Sequence, residues 1–564
     1  MVISSLPAKY NRKNFQSDLL SGVTVGIIAL PLSMALAIAS GVPPQHGLYT
    51  SIFAGIIIAF TGGSRYSVSG PTAAFIVVLL PISQRFGLAG LLCATIIAGL
   101  ILVGMGLARV GGIIRLIPYP VVIGFNTGIG IVIAAFQVKD FLGIEGIVKG
   151  SFISTIGQLA GALNRTHWAD AVVGVVTLAV LLIFPKLKLR VPSHLVAVVI
   201  GTLFSLVLGM DFVGSSVKTL GTEFQYKIDG IIGNGIPPVL PAFAFPWNMT
   251  NIDGTQLNWD LDLVKELALA GFTVAMLGAI ESLLCAVVAD GMTGSKHNPN
   301  QELIGQGLGN IIGPFFGGIP AVAAMARTAA NIRAGGVSPV SAIVHGVFLL
   351  FTLLFFGQWL AYIPMATLAA LLLVVAWNMA ETKHFIRIVK VAPRSDVAVL
   401  FACVTLTVLV GMVVSLTVGI SLASVLFIRR MSDLSGNKLV GDQPSEINFE
   451  HSDGVVIYEI NGPLFFGAAQ KAISTLEQVD HEFKVLVLEL SQVNMIDMTG
   501  IVALESLLAS LKKLKIKVVL CRPAPQPSQR FKAAGILPDQ KSLFIAESIK
   551  EGLEQVKATN TDPF

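Results

Sequence analysis

The chain has 564 residues, of which 54% are hydrophobic and only 13% charged, with a mean hydropathy of +0.78. Soluble globular proteins carry about 25% charged residues, so an ordinary soluble fold is excluded for most of this length. The net charge of +5 is small for the size and speaks against a nucleic-acid partner.

Charge is distributed unevenly. Residues 1–430 hold long apolar runs, whereas 431–564 has the mixture of an ordinary soluble protein. The pattern predicts a transmembrane domain over 1–430, a linker over 431–453 and a soluble domain over 454–564. The polar, basic start (Lys9, Arg12, Lys13) leads into an apolar run over 19–41 that ends near Ala37-Ile38-Ala39, a signal-peptidase-like triplet. That run is longer than the usual signal core of about 7–15 residues, so it reads as a first span. Cys93, Cys285, Cys403 and Cys521 show neither metal-ligand spacing nor a disulfide framework and read as small buried side chains.

A helix crosses the hydrocarbon with about 20 apolar residues. Runs near 19–41, 47–63, 71–85, 88–109, 118–137, 168–185 and 193–210 make a first set of seven. Runs near 264–289, 301–317, 321–334, 339–357, 361–380, 396–412 and 414–428 make a second. The stretch 150–164 is less apolar and is expected at an interface. With a cytoplasmic N-terminus, the cytoplasmic turns hold Arg65, Arg109, Arg115, Lys186, Lys188, Arg190, Lys296, Arg333, Lys383, Arg387, Lys390 and Arg394. Arg429 and Arg430 follow at the exit from the last span. This positive-inside bias predicts fourteen spans in an inner membrane with both termini cytoplasmic. The repeats cover about 19–210 and 264–428.

Two segments are too short. Those starting at Pro71 and Pro320 each follow an Ile-rich span and a Gly-Gly pair, Gly62-Gly63 and Gly317-Gly318, and each is the third span of its set. Paired short, Gly/Pro-interrupted segments in corresponding positions point to a transporter site at the interface of inverted repeats. Proline suits a first helical turn, so Ser69-Gly70-Pro71-Thr72-Ala73 and Pro320-Ala321-Val322-Ala323 read as two helix starts in mid-membrane. Facing each other, they offer unpaired N–H groups and about half an elementary charge each, an anion site that needs no buried lysine.

Ionisable groups inside spans are costly and usually functional. Glu281, in the middle of the eighth span, is the candidate for proton coupling. Arg327 follows the second helix start by two turns; it belongs either to the field of the substrate or to a structural ion pair near the cytoplasmic exit. Lys139, beside Gln137, reads as a snorkelling interface residue, and His345 as a satisfied packing residue.

Pro31-Leu32-Ser33-Met34-Ala35 and Gly41-Val42-Pro43-Pro44-Gln45-His46-Gly47-Leu48-Tyr49 resemble the first-span signature of SulP anion transporters. Ser69-Gly70-Pro71-Thr72 and Gln137-Val138-Lys139-Asp140-Phe141-Leu142-Gly143 are similar to that family's pattern too. Within the family, 276–289 and 371–379 look most like bacterial proton-coupled C4-dicarboxylate carriers. The resemblance implies a core (spans 1–4 and 8–11) moving against a gate (spans 5–7 and 12–14) in elevator fashion, and a homodimer. It also adds Leu32 and Ser33 to the substrate site. In some relatives Asp and a hydroxyl residue stand where Glu281 and Cys285 stand here and help hold sodium, so this chain is expected to couple to protons rather than sodium.

From Gly454 the pattern turns to strands near 455–460, 485–490 and 516–521 alternating with helices near 468–478, 499–513 and 526–534, an α/β layered domain. It resembles a STAS domain, which implies a cytoplasmic protein partner. Thr499 falls at that fold's phosphorylation position, with a plain helix cap by Asp497 or Thr499 as the simpler reading. No phosphate loop or nucleophile elbow is present, so no enzymatic activity and no cofactor are expected. The combined reading is secondary active uptake of a small anion across the bilayer, proton-coupled C4-dicarboxylate first. Sulfate or bicarbonate transport or exchange is the alternative, and a membrane-anchored sensor a remote one.

Overall fold

The structure is a computed structural model describing residues 10–112, 117–146, 152–187, 191–210, 216–228, 231–249, 254–434, 437–439, 454–460, 462–464, 483–539 and 541–559. The chain divides into two compact units, Met1–Ile420 and Ser421–Phe564. The division falls inside the last span rather than after Arg430.

The membrane unit opens with α1 (Arg12–Ala39), capped by the Asn11 side chain. The second span runs through α2 (Pro44–Tyr49), a π-helical stretch Thr50–Ala54 and α3 (Gly55–Thr61). A two-residue strand β1 (Ser69–Gly70) then leads into α4 (Ala73–Leu107), which supplies the third and fourth spans. Gly87 separates them at φ 67°, ψ −169°, a conformation open to glycine alone, which kinks the chain between the two helices. There follow α5 (Tyr119–Phe141), α6 (Phe152–Ala162), α7 (Trp168–Ile183) and α8 (Ser193–Leu208). Short α6 buries only Thr155, Leu159 and Ala162, the one-sided pattern of an interfacial helix.

The long connection to the second set carries α9 (Leu220–Glu223) and a hairpin of β2 (Gln225–Ile228) and β3 (Ile231–Asn234). The second set comprises α10 (Leu261–Thr293), α11 (Pro299–Ile312), a strand β4 (Val322–Ala323), α12 (Met325–Arg333) and α13 (Val340–Leu360). It closes with α14 (Met365–Met379), α15 (Thr382–Val391), α16 (Arg394–Leu409) and α17 (Met412–Leu434). Every predicted span has a helical counterpart. Among the described residues, eight helices are by themselves long and apolar enough to cross a membrane. The broken tenth span is shorter: the nine residues of α12 rise about 14 Å, half of a hydrocarbon core of about 30 Å.

Two packing clusters follow. In one, α4 lies against α10 and α11, α1 against α13, and α3 against α11 and α13. In the other, α5 lies against α14 and α16, and α7 against α8 and α14. These are spans 1–4 with 8–11, the core, and spans 5–7 with 12–14, the gate. Large apolar side chains such as Trp359 and Phe355 are 73% and 66% exposed, which suits lipid rather than water as the surrounding solvent.

The second unit holds a five-stranded sheet in the order β5 (Asn437–Leu439), β6 (Val455–Ile460), β7 (Val485–Glu489), β8 (Lys517–Cys521), β9 (Leu543–Ala546). β5 is antiparallel to β6 and the remaining neighbours are parallel. All of β7 is buried, as a central parallel strand between helical layers must be. Leu486, Leu488 and Val518 pack with Leu504 and Leu507 of α18 (Met498–Lys513) on one face. Val487 and Val519 pack with Ile549 and Val556 of α20 (Ile549–Ala558) on the other, and α19 (Pro525–Ala533) lies between in sequence. The predicted helix over 468–478 lies outside the described residues. β9 and α20 were not anticipated.

Candidate anion-binding site

The two broken spans meet. β1 pairs antiparallel with β4, Ser69 opposite Ala323 and Gly70 opposite Val322. Each strand runs straight into a half-helix, α4 from Ala73 and α12 from Met325. The cap residues Thr72 and Ala324 make no side-chain cap bond. Among the described residues, the amides of Ala73 and Ala74 and of Met325 and Ala326 donate to nothing. Thr72 Oγ1 is also buried without a partner. Such unpaired donors at two helix N-termini form a ready anion site.

Neither proline opens a helix, contrary to the sequence reading. Pro71 precedes α4 by two residues and Pro320 precedes α12 by five. On the second segment β4 lies between Pro320 and α12, whereas on the first β1 ends at Gly70, immediately before Pro71. Asn310 of α11 fixes the second one as extended chain: its Nδ2 donates to the Ala321 carbonyl and its Oδ1 accepts from the Ala321 amide, both at 2.8 Å.

The shift of the helix start brings Arg327 into the first turn of α12, and its buried guanidinium reaches across to the first repeat. Nη1 donates to Ser51 Oγ at 3.1 Å, and Nη2 to Ser33 Oγ at 3.1 Å and to the Pro71 carbonyl at 3.3 Å. Ser33 and Ser51 lie 3.0 Å apart. All three acceptors are uncharged, so the cation is hydrogen-bonded but not neutralised. A buried guanidinium thus stands beside the free amides, at the residue that the sequence reading left open between the substrate's field and a structural ion pair. Gly70 leaves room for this contact, because a Cβ at that position would lie 2.3 Å from Arg327 Nη1 and 2.7 Å from Ser51 Oγ and these side-chain ends would have to shift. Leu32 is buried beside Ser33 in α1.

Glu281 lies in α10, half-buried, with its Oε1 in a buried position and without a hydrogen-bond partner. Its helix touches both repeats. Ser282 Oγ accepts from the Ala323 amide at 3.4 Å, and Cys285 Sγ donates to Thr328 Oγ1 at 3.3 Å. Thr328 Oγ1 in turn accepts from the Val68 amide at 3.1 Å. All four cysteines are buried and free.

A polar ladder on α11 escaped the sequence reading. Glu302, Gln306 and Asn310 recur every fourth residue, hence on one helix face, and are 1%, 0% and 2% exposed. Glu302 Oε2 accepts from the Gly63 and Ser64 amides at 2.9 Å, and its Oε1 from Gln306 Nε2 at 3.0 Å. Gln306 Nε2 also donates to Ser69 Oγ at 3.0 Å. One helix thus holds the loop before β1, β1 itself and, through Asn310, the segment before β4. The signal was present as three polar residues at i, i+4 and i+8 in an apolar run.

His345 departs from expectation as well. It is 1% exposed, yet among the described residues neither ring nitrogen has a hydrogen-bond partner. Gln137 and half-buried Lys139 sit at the far end of α5 and are not brought to the anion site. In the second unit Asp497 Oδ1 accepts from the Gly500 amide at 2.8 Å and caps α18, while Thr499 is exposed at that helix's second position.

A broken-helix membrane carrier for anions is the class that this fold and site define. The model of the Sulfate permease family matches residues 15–405, and that of the STAS domain residues 446–551. The chain belongs to the sulfate permease (SulP) family and ends in a STAS domain; it is an anion transporter and not an enzyme. It is 37% identical to "Putative sulfate transporter YvdB" of Bacillus subtilis (strain 168), over 93% of this chain and 95% of that one. It is 30% identical to the bicarbonate transporter BicA of Synechocystis, over 88% and 86%. Among solved structures it is similar to SLC26A9, with TM-score 0.83 at 21% identity over 100% and 93% of the two chains. The transmembrane domain of a cyanobacterial BicA matches with TM-score 0.60 at 29% identity, over 72% and 98%. YvdB is named for sulfate and BicA for bicarbonate.

Proposed function

We propose that this chain takes up a small oxyanion, sulfate foremost, together with protons, as the core moves past the gate. The observation that carries the reading is the un-neutralised guanidinium of Arg327 where the two half-helix starts meet. One guanidinium charge plus about half a charge from each helix end sums to about two, which balances a dianion. An inside-negative potential opposes entry of each negative charge by about 2.3 kcal/mol per 100 mV, so a dianion needs accompanying cations. Protonation of Glu281 supplies one of them. The names of the relatives support sulfate or bicarbonate over the dicarboxylate that the first reading favoured, and the charge count supports sulfate over bicarbonate.

A second reading keeps C4-dicarboxylate uptake, because 276–289 and 371–379 resemble carriers of that substrate. The carrier operates in an inner membrane as a homodimer, with both termini cytoplasmic and the STAS domain available to a protein partner there. The test is uptake of labelled sulfate, bicarbonate and succinate into proteoliposomes under imposed proton or sodium gradients. Sulfate entry driven by protons is the expected result; succinate entry that sulfate does not inhibit would replace it with the second reading.

A further inference from the structure

Half-helix α12 is held along its length by one face of α1. At nine residues it is too short to be stable alone, so its neighbours decide where it stands. Asp18, Ser21, Val25 and Ser33 of α1 fall on one helical face. Ser33 meets Arg327, and Val25 packs with Ala330 in an apolar cluster that includes Val68 and Ala342. Nearer the start of α1, Ser17, Asp18 and Ser21 grip the last turn of α12 and the turn that follows it.

Ser21 Oγ lies 2.6 Å from Asn331 Oδ1 and 2.8 Å from the Asn331 carbonyl, its proton shared between the two. Asn331 Nδ2 donates in turn to the Tyr66 carbonyl at 2.9 Å, in the segment that leads to β1. Ser17 Oγ donates to the Gly335 carbonyl at 2.6 Å. Asp18 receives four donors. The Val337 and Ser338 amides reach its Oδ1 at 2.7 and 3.1 Å, and Ser338 Oγ and Tyr10 Oη reach its Oδ2. Asp18, Ser21, Asn331 and Ser338 are all fully buried.

None of those four donors is charged, and burying a carboxylate is costly. The start of α13, two residues beyond Ser338, offsets part of that cost, because a helix N-terminus favours a negative charge. Well-packed apolar side chains would join the two helices as firmly; a carboxylate with four directional bonds also fixes one register. Register matters at Arg327, which precedes Asn331 by one helical turn and slides with it. Its bonds to Ser51, Ser33 and the Pro71 carbonyl are already 3.1, 3.1 and 3.3 Å long, and a slide of about 0.5 Å carries them past hydrogen-bonding distance.

We propose that Asp18 and Ser21 are positioning residues for anion binding. They set the register of α12, and through it the place of the Arg327 guanidinium, from about 20 Å away along α1. This rests on Arg327 holding the anion.

The test titrates labelled sulfate into the purified full-length protein and reads the midpoint, which does not depend on how much of the protein is folded. A melting temperature is taken for each variant alongside. Ser21→Ala is expected to weaken binding about fivefold, and Asp18→Asn, which gives up one carboxylate oxygen, at least as much. In an Arg327→Lys background neither should weaken binding further, because both act through the guanidinium. Lower melting temperatures with wild-type affinity in both variants would make the network merely structural and overturn the proposal. A further loss of about fivefold in the Arg327→Lys background would overturn it too, since the groups would then act independently. Wild-type affinity in Arg327→Lys alone would instead remove the role of Arg327, and the proposal with it.

Discussion

Arg327, in the first turn of one half-helix, donates to the carbonyl of Pro71, two residues ahead of the other, across 3.3 Å. The contact ties the two repeats together at the point where their free amides converge. It also sets a fixed positive charge between the helix ends, so that anion binding and the alignment of the half-helices depend on the same side chain.

Arg327→Lys is therefore expected to behave as a severe variant. A lysine ammonium lacks the planar fork that reaches Ser33, Ser51 and Pro71 together. Loss of a buried, hydrogen-bonded charge contact costs about 2–5 kcal/mol, so anion affinity should fall at least tenfold. Binding of labelled sulfate to the purified protein measures this, with monodispersity in detergent as the control for folding.

Gly70→Ala tests the same geometry from the opposite side. Its Cβ would lie 2.3 Å from Arg327 Nη1, and the guanidinium has to move to make room. Sulfate affinity is expected to drop while the protein remains folded; an unchanged affinity would mean that the guanidinium's position does not matter for binding.

The ladder on α11 predicts a positional effect. Asn310→Leu removes both bonds to Ala321 and leaves two buried backbone groups unpaired, each worth about 1–3 kcal/mol. We expect a lower thermal midpoint and weaker sulfate binding, although Asn310 has no charge to offer the anion. Asn310→Asp, which retains the acceptor for the Ala321 amide and loses the donor to its carbonyl, should fall between.

The soluble domain has a pH-sensitive corner. Burial by itself would raise the Asp539 carboxyl. Hydrogen bonds from Ser542 Oγ and from the amides of Ser542, Leu543 and Lys541 outweigh it and hold the group well below the usual carboxylate range. A depressed folded value means that the charged form is stabilising: the contribution is complete above the unfolded aspartate value of about 3.9 and fades as pH falls further. Asp539→Asn should lower the domain's melting temperature at pH 7, and the difference should shrink as pH falls from the unfolded value towards the depressed folded one. Burial raises the Cys521 thiol to about 11, so it should stay unmodified by alkylating reagents at neutral pH.

Thr499 and Asp497 divide structure from regulation. Asp497→Ala removes the cap of α18 and should cost about 1 kcal/mol of domain stability. Thr499→Ala is exposed and should leave stability unchanged, so any effect on transport would point to modification of that hydroxyl.

The spans were legible because lipid demands long apolar helices, and the two breaks because Gly-Gly and Pro interrupt them. The roles around those breaks were harder to read. Taking Pro320 as a helix start put Arg327 two turns inside α12; the ladder with β1 delays the start to Met325 and places Arg327 in the first turn. Hydrogen bonds between repeats more than two hundred residues apart leave no local trace, so Ser51 and Gln306 were invisible as partners. Glu302 was passed over because one carboxylate hardly lowers the hydropathy of an apolar run.

The most direct measurement is a cryo-electron microscopy map of the protein in saturating sulfate. Density for the anion within hydrogen-bond reach of the Arg327 guanidinium and the Ala73 and Ala74 amides is the predicted result. An empty junction between β1 and β4, with sulfate resolved elsewhere in the membrane unit, would contradict it.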